Sequence, residues 1–247
     1  MFSYEETIRN ELKIWQQKML SPPSALNRLS KGLQRRMNNL IPDKVHQAIT
    51  TAIKQMTRAV LFGAGYTTRQ PLTNVSFELR EAAVRDRIAF YKKAGAAEGG
   101  VTGAGGILLG LADFPLLLSL KMKMLFDVAT LYGFSVSDYR ERLYIMHIFQ
   151  LAFSSQERRR EVYLQMENWA EHCQQLPEDI NEFDWLTFQQ EYRDYIDLAK
   201  MAQLIPGIGA AVGLVVNWRL LDQLGTTAMN AYRMRWRETD FKVLTNL

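Results

Sequence analysis

GAAEGGVTGAGGILLGLADFPLLLSLK, residues 95–121, is the stretch that decides the fold of this chain. Its glycines recur at intervals of four, three and four residues, which places them on one face of a helix: Gly99, Gly103, Gly106 and Gly110. Asp113 continues that face, and Pro115 follows it closely. Six glycines between positions 99 and 110 cost a helix about 6 kcal/mol relative to alanine. We therefore expect another helix or an acyl chain to approach this bare face closely.

A second segment, KMAQLIPGIGAAVGLVVNWR at residues 200–219, repeats the pattern. The same four-three-four spacing relates Ala202, Pro206, Gly209 and Gly213, and the residues between Lys200 and Arg219 carry no charge. Two such segments can pack face to face, each supplying the groove that the other needs. They can equally lie side by side in a lipid interface. The sequence leaves both arrangements open.

The first segment is long enough to span a bilayer. Its ten large apolar side chains favour insertion by about 0.3–0.6 kcal/mol each, whereas Asp113 opposes it by roughly 3 kcal/mol. Glycines and Pro115 add smaller costs, so the sum is close to balance. Because the other helices have polar faces, we expect a buried core hairpin. A shallow or re-entrant insertion is the alternative, and a full span is the least favoured reading.

The remaining sequence predicts helices almost throughout, with no alternating strand pattern. Prolines, glycines and capping residues delimit the predicted helices at residues 3–19, 24–39, 43–60, 75–93, about 107–133, 138–153, 156–175, 183–204 and 207–236. The sequence therefore predicts an all-α, compact bundle of about eight to ten helices with a glycine-rich central helical hairpin. We expect a basic N-terminal helical region at 1–75 and a main helical domain at 76–247, joined in one continuous fold.

The net charge of +4 hides a strong asymmetry. Residues 13–69 carry ten Lys or Arg and one acid, whereas residues 161–197 carry ten Asp or Glu and one base. The two regions can attract each other within the fold, or the basic one can face an anionic membrane or a nucleic acid. In the helix from Asp43, an apolar stripe opposes a basic face that includes Lys44, Lys54 and Arg58. These three are the candidate membrane-surface residues.

The single cysteine, Cys173, cannot form an internal disulfide, which favours a reducing compartment. The N-terminus lacks the basic start and apolar core of a secretory signal. We expect a cytoplasmic protein that is associated with the inner face of a membrane.

Two motifs in this order resemble the EcsC protein family: the run at residues 95–133, and LIPGIGAAVGLVVNWRLL at 204–221 followed by AYRMR at 231–235. The resemblance covers roughly residues 77–237. It implies a bacterial-type helical protein, often membrane-associated, without an assigned enzymatic activity, whose name-giving member is encoded beside an ABC transporter. A weaker likeness is to the senescence domain of lipid-droplet proteins. The positions that match the family pattern are Gly99, Gly100, Gly103, Gly106, Asp113, Pro115, Gly133, Pro206, Gly209, Gly213 and Asn217; Gly110 joins them as a packing candidate.

Motifs of catalysis and cofactor binding are missing from the sequence. There is no phosphate-binding loop, no HExxH and no GxSxG, and the glycines after Pro206 lack the strand that a dinucleotide site requires. The three histidines are far apart in sequence, and we expect Glu78 and Glu81, like Arg233 and Arg235, to lie on solvated faces. We therefore assign no catalytic, cofactor-binding or metal residue and expect no cofactor. Without a recognisable reading motif, we also expect no nucleic-acid partner.

The sequence favours a non-enzymatic helical protein that associates peripherally with membranes or binds lipid, using an anionic membrane surface as its partner. Trp218 and Trp236 are candidate interfacial anchors. The alternative is a soluble adaptor or regulatory protein that contacts a protein partner, such as a component of an ABC transporter. A third reading is a hydrolase with its site around Asp113 and Glu98.

Overall fold

The structure is a computed structural model that describes residues 4–22, 43–61, 70–103, 106–184, 186–188 and 210–245. Within those ranges, the side chains of residues 43–46, 61, 98–103, 106–113, 157, 210–213 and 237–245 are also outside the description. The predicted helix at 24–39, most of the one at 183–204, and the positions Pro206 and Gly209 lie outside the described residues.

The described residues form helices joined by short loops, without a strand, which confirms the predicted all-α fold. The α-helices are α1 (Tyr4–Leu20), α2 (Asp43–Leu61), α3 (Phe77–Gly103), α4 (Gly106–Leu131), α5 (Tyr139–Phe153), α6 (Gln156–Glu167), α7 (Trp169–Gln174) and α8 (Ala210–Thr245). A 3-10 turn spans Ile180–Glu182.

α3 and α8 form the longest contact in the bundle, and they are antiparallel. Toward the start of α3, Glu81 accepts hydrogen bonds from Arg233 of α8. Toward the end of α3, the Gly95 carbonyl accepts a 3.3 Å bond from Asn217 Nδ2, near the start of α8. Because both ends of the pair are fixed by buried polar groups, the register between the two helices has little freedom to slip.

α4 packs antiparallel to α3 as the next helix along the chain. Tyr91 of α3 donates a 2.7 Å hydrogen bond to Asp127 of α4, and Tyr132, just after α4, donates a 2.8 Å bond to Glu81. Both α4 and α8 are thus antiparallel to α3 and in contact with each other, so their starting ends point the same way. That shared end is where the glycine-rich segments lie.

Two glycines allow α3 and α8 to approach closely. A Cβ atom at Gly225 would lie 2.6 Å from Cγ2 of Ile88, and a Cβ at Gly95 would overlap the Leu221 side chain. Both distances are too short for a real side chain, so glycine is required for this separation of the helices. This close approach of α3 and α8 occurs at Gly95 and Gly225, outside the predicted glycine face, whose surroundings lie outside the description.

The remaining helices surround this layer. α5 packs beside α8 with 13 of its 15 residues buried, as expected for an interior helix. α2 covers α4 and α5 with the predicted stripe, in which Ile49, Ala52, Ile53, Met56 and Val60 are buried. α1 lies against α6 and α8 and buries residues spaced as on one helical face: Ile8, Leu12, Trp15 and Met19.

Gly133 ends α4 in the manner that the sequence suggests. Its φ is +93°, a left-handed conformation that favours glycine. The Phe134 N–H donates to the Ala129 carbonyl and the Gly133 N–H donates to the Thr130 carbonyl, which is the Schellman arrangement. Arg80 Nη1 adds a 2.6 Å bond to the Leu131 carbonyl, so a side chain from α3 also satisfies this helix end.

Three predicted helix boundaries are wrong. The helix expected to stop near Lys93 continues to Gly103, and a second helix starts at Gly106. The four spaced glycines are therefore divided between two helices, two on each, rather than lying on one face of a single helix. This division falls within GAGG, where glycine, the weakest helix former after proline, is most concentrated. The predicted helix at 156–175 divides at Asn168, and α8 extends to Thr245 instead of ending at Trp236.

None of the helices in the described part of the chain combines the length and the apolar character that a membrane crossing requires.

We expect Gly225→Val to lower the free energy of unfolding by about 1–3 kcal/mol, because the new side chain overpacks against Ile88. Urea unfolding followed by circular dichroism measures this effect. Combining it with Ile88→Ala should recover part of the loss, because the two volumes compensate across one contact. Strictly additive losses in the double variant would show that Ile88 does not set the helix separation.

Candidate functional site

Exposed apolar side chains gather at the end of the bundle where α4 and α8 start. Leu120 of α4 and Leu221 of α8 flank Gly95, so these two positions are level with each other. At a rise of 1.5 Å per residue, Leu116 of α4 lies about 6 Å beyond the level of Gly95, and Trp218 of α8 lies about 5 Å beyond it. Both lie toward the end of the bundle where α4 and α8 start. Leu214 is one further turn along α8.

We call the exposed Leu116, Leu214, Val215 and Trp218 the apolar end. Their exposed fractions are 61%, 42%, 46% and 38%, respectively. On α8, Leu214 and Trp218 are four residues apart and Val215 and Trp218 three apart, so the three share one helix face. Large exposed apolar side chains clustered at one end of a molecule are typical of an interaction surface.

Basic side chains border the apolar end. Lys92 Nζ lies 4.4 Å from the centroid of the Trp218 ring and forms an ion pair with Asp222. Lys93 and Arg219, the neighbours of Lys92 and Trp218 in the chain, are exposed. Among the described charged side chains at this end, three are basic and one is acidic. This combination of tryptophan, aliphatic residues and cations matches the chemistry of a membrane–water interface.

A buried ion pair lies at the opposite end of α3. Glu81 has no exposed surface, and its carboxylate accepts bonds of 2.6 Å from Arg233 Nε and 2.7 Å from Arg233 Nη2. Tyr132, Tyr4 and Arg85 add further donors at 2.8, 3.2 and 3.2 Å. We call these five residues the Glu81 cluster. It joins α1, α3, the end of α4 and α8 at one carboxylate.

The Glu81 cluster is built to keep its carboxylate charged. Burial alone would raise the pKa of Glu81, but the hydrogen bonds and charge of Arg233, with the hydroxyls of Tyr132 and Tyr4, outweigh it and lower that pKa. Burial and the neighbouring carboxylate raise the pKa of Tyr132 well above its usual value. A carboxylate that accepts hydrogen bonds from five donor groups is a poor general base, so we assign the Glu81 cluster a structural role.

A second ion pair links α5 to α8. Glu141 accepts 2.6 Å bonds from Tyr232 and from Arg235 Nη1. The Arg235 guanidinium lies 3.9 Å from the Phe134 ring centroid and 4.4 Å from that of Tyr144. Arg235 is thus held by a carboxylate and two aromatic faces, which leaves it unsuited to binding an external phosphate.

The sequence profile of the EcsC protein family matches residues 6–236. The chain belongs to the EcsC protein family. Protein EcsC of Bacillus subtilis (strain 168) is 42% identical over 231 residues, which cover 93% of this chain and 95% of that protein. An uncharacterized protein of the same organism, YdbA, is 27% identical over 142 residues, covering 58% of this chain and 52% of YdbA.

No solved structure matches the chain significantly. The EcsC match begins at residue 6, so it includes most of the N-terminal region that the two motifs do not reach.

The structure gives physical roles to several EcsC signature positions. In AYRMR, Tyr232 and Arg235 bind Glu141 while Arg233 binds Glu81. Asn217, buried to 1% exposure, ties α8 to the backbone of α3. The AYRMR motif of α8 therefore supplies the arginines of the two buried ion pairs that attach this helix to the bundle.

The other predicted positions are only partly described. Pro115 lies exposed inside α4, and the backbones of Gly99, Gly100, Gly103, Gly106, Gly110 and Gly213 are helical, although their surroundings lie outside the description, as do the side chains of Asp113, Glu98 and Lys44. Lys54 and Arg58 are exposed on α2. Of the two predicted anchors, Trp218 is exposed, whereas Trp236 is half-buried with its ring centroid 4.2 Å from that of Phe77.

Two predictions about charged residues are wrong. Glu81 and Arg233 were expected on solvated faces, but they form the buried pair, and Arg235 is half-buried beside Glu141. The sequence did contain one indication that Glu81 is buried. Glu81, Val84 and Ile88 share a helical face with 3–4 residue spacing, so Glu81 lies on the apolar side of α3. Choosing its partner among many arginines required the tertiary structure.

Two histidine side chains, those of His147 and His172, lie against the ring of Trp169. His147 is buried, donates from Nδ1 to the Leu143 carbonyl at 2.8 Å, and lies 6.4 Å from His172 between ring centroids. Burial lowers the pKa of His147 to about 4 and raises the pKa of the Cys173 thiol, so the imidazole is neutral and the thiol protonated. Within the described residues, no group of three or more potential ligands could hold a metal ion.

We expect Glu81→Gln to lower the free energy of unfolding by about 3 kcal/mol, because the buried Arg233 charge then keeps only the exposed Glu11 carboxylate, 3.0 Å away, as a counterion. Urea unfolding measures the loss, and Glu78→Gln, an exposed change one turn earlier on α3, is the matched control. The double change Glu81→Leu with Arg233→Met should be milder than Glu81→Gln alone. Equal unfolding midpoints for Glu81→Gln and Glu78→Gln would contradict the role given to the pair.

We expect the protein to lose about 2 kcal/mol of stability between pH 7.5 and pH 5 through His147. An unfolded histidine binds its proton near pH 6.5, whereas His147 in the folded state remains neutral down to about pH 4. Acidification in this interval therefore favours the unfolded chain. Urea unfolding at a series of pH values should show a flatter profile for His147→Gln, and an unchanged profile in that variant would refute the assignment.

Proposed function

We propose that this EcsC-family protein associates peripherally with anionic membranes and does so through the apolar end. The observation that carries the proposal is the group of exposed Leu116, Leu214, Val215 and Trp218 at one end of the bundle, bordered by Lys92, Lys93 and Arg219. Burying such side chains at a lipid interface removes apolar surface from water, and the cations favour an anionic headgroup region.

The orientation of the helices supports this reading. α4 and α8 start at the apolar end, and α3 ends there, so the glycine-rich segments of the sequence are at the same end. A shallow insertion by helix ends needs no spanning helix. The basic face of α2, with Lys54 and Arg58 exposed, would add longer-range attraction.

No enzymatic role forms part of this proposal. The buried carboxylates of Glu81 and Glu141 are occupied by arginine and tyrosine donors, and His147 is neutral and enclosed by aromatic rings. These groups stabilise the fold. If the protein is instead an adaptor, a protein partner binds this same surface. Flotation with vesicles distinguishes the two cases.

The test is co-flotation with vesicles of phosphatidylcholine, with and without phosphatidylglycerol. The wild-type protein should float with the anionic vesicles, and Leu214→Gln with Trp218→Gln should lower the partition coefficient about tenfold or more. The reason is that a buried Leu side chain is worth about 1.5–3 kcal/mol, and 1.4 kcal/mol corresponds to a tenfold change.

Leu79→Gln is the matched control, because Leu79 is as exposed as these residues but lies near the start of α3, away from the apolar end. Lys54→Glu with Arg58→Glu should weaken flotation mainly at low salt. Failure of the wild-type protein to float with either vesicle type would overturn the proposal and favour the adaptor reading. If Leu79→Gln weakened flotation as much as Leu214→Gln with Trp218→Gln does, the apolar end would not be the membrane-binding surface.

A further inference from the structure

The salt bridge at the apolar end has two members with very different surroundings. The Lys92 side chain is 16% exposed, while that of Asp222 is 56% exposed. Lys92 is on α3 one turn before Gly95, and its ammonium lies against the Trp218 ring. Asp222 is on α8, four residues after Trp218, and so shares its helix face. The contact between α3 and α8 holds the Lys92 ammonium in place, whereas the more exposed Asp222 carboxylate can rotate toward solvent.

The position of this pair is suited to recognition of a phosphate. Tryptophan side chains at a membrane surface lie at the level of the headgroups, where lipid phosphates are found. If Trp218 occupies that level, Lys92 is at the same depth, because it is in contact with the ring. An anionic surface attracts the lysine and repels the Asp222 carboxylate. A phosphate diester can therefore replace the carboxylate at Lys92 without any change in the helices.

We propose that Lys92 recognises the phosphate of an anionic phospholipid in the bilayer, and that Asp222 acts as an internal competitor that occupies Lys92 until the membrane replaces it. This inference rests on the proposed membrane association. It adds that the Lys92 ammonium is the group that binds the negatively charged headgroup. Asp222 then lowers the affinity for anionic membranes, and its loss should increase binding.

General electrostatics alone makes a different prediction. If charge acts only through the summed field, removing the Asp222 carboxylate strengthens binding by the same factor whether or not Lys92 is present. If Asp222 also competes for Lys92, its removal strengthens binding more when Lys92 is present to be released than when it is absent. The coupling between positions 92 and 222 therefore separates the two explanations.

The experiment measures partition of the full chain onto phosphatidylcholine vesicles that contain phosphatidylglycerol. Asp222→Asn should bind about three- to tenfold more tightly than wild type on anionic vesicles and equally on pure phosphatidylcholine, since one charge near the surface is worth about 1 kcal/mol. In the Lys92→Met background, which keeps an unbranched side chain, only the repulsion between the Asp222 carboxylate and the surface remains to be relieved, so the gain from Asp222→Asn should be clearly smaller than in the wild type. In the Lys93→Met background, its full effect should remain.

Several outcomes would overturn the inference. An equal gain from Asp222→Asn in the Lys92→Met and Lys93→Met backgrounds would assign the effect to the summed field. Displacement of the protein by inorganic phosphate, at ionic strength matched with chloride, would assign the site to soluble anions. Either result leaves the proposed membrane association intact if Leu214→Gln with Trp218→Gln still lowers flotation, whereas no binding by the wild-type protein would remove both. Thermal unfolding of each variant verifies that it is folded.

Discussion

The bidentate pairing of Glu81 with Arg233 is the constraint on which the arrangement of the bundle depends. A fully buried carboxylate must be paired, and here its donors come from α1, α3, the end of α4 and α8. The helices can therefore meet in only one register without leaving a charge unsatisfied. At the other end of the α3–α8 contact, the buried Asn217 side chain also needs a hydrogen-bond partner, which the Gly95 carbonyl provides. Between these two points, Gly95 and Gly225 let the helices approach closely.

This arrangement separates the molecule into two functional parts. At one end, the ion pairs of Glu81 and Glu141 and the aromatic rings around Tyr232 form a rigid, water-excluding anchor. At the other end, α4 and α8 present Leu116, Leu214, Val215 and Trp218 to solvent. A rigid anchor of this kind allows the exposed end to keep a defined shape while it contacts another surface, which reduces the ordering cost of binding.

The signature residues of the EcsC family take on a physical meaning in this structure. Those in AYRMR serve the anchor, since Tyr232, Arg233 and Arg235 all bind buried carboxylates. Gly133 permits the left-handed turn that ends α4, and Arg80 closes that turn from α3. The backbones of Gly99, Gly103, Gly106, Gly110 and Gly213 lie instead in the helix segments toward the apolar end.

The sequence by itself determined the helical fold, because 3–4 residue apolar spacing, caps and prolines act locally: α1, α2, α5 and the Gly133 cap could all be predicted from it. It also predicted close packing at a bare glycine face, whose surroundings lie outside the description, and named Trp218 as a candidate anchor. Only the tertiary structure decided that the glycine run is divided between α3 and α4, that Glu81 and Arg233 are buried partners, and that Leu116 and Trp218 lie at one end. Those facts depend on contacts between residues far apart in the chain, and local spacing carries no information about which distant helix supplies the partner.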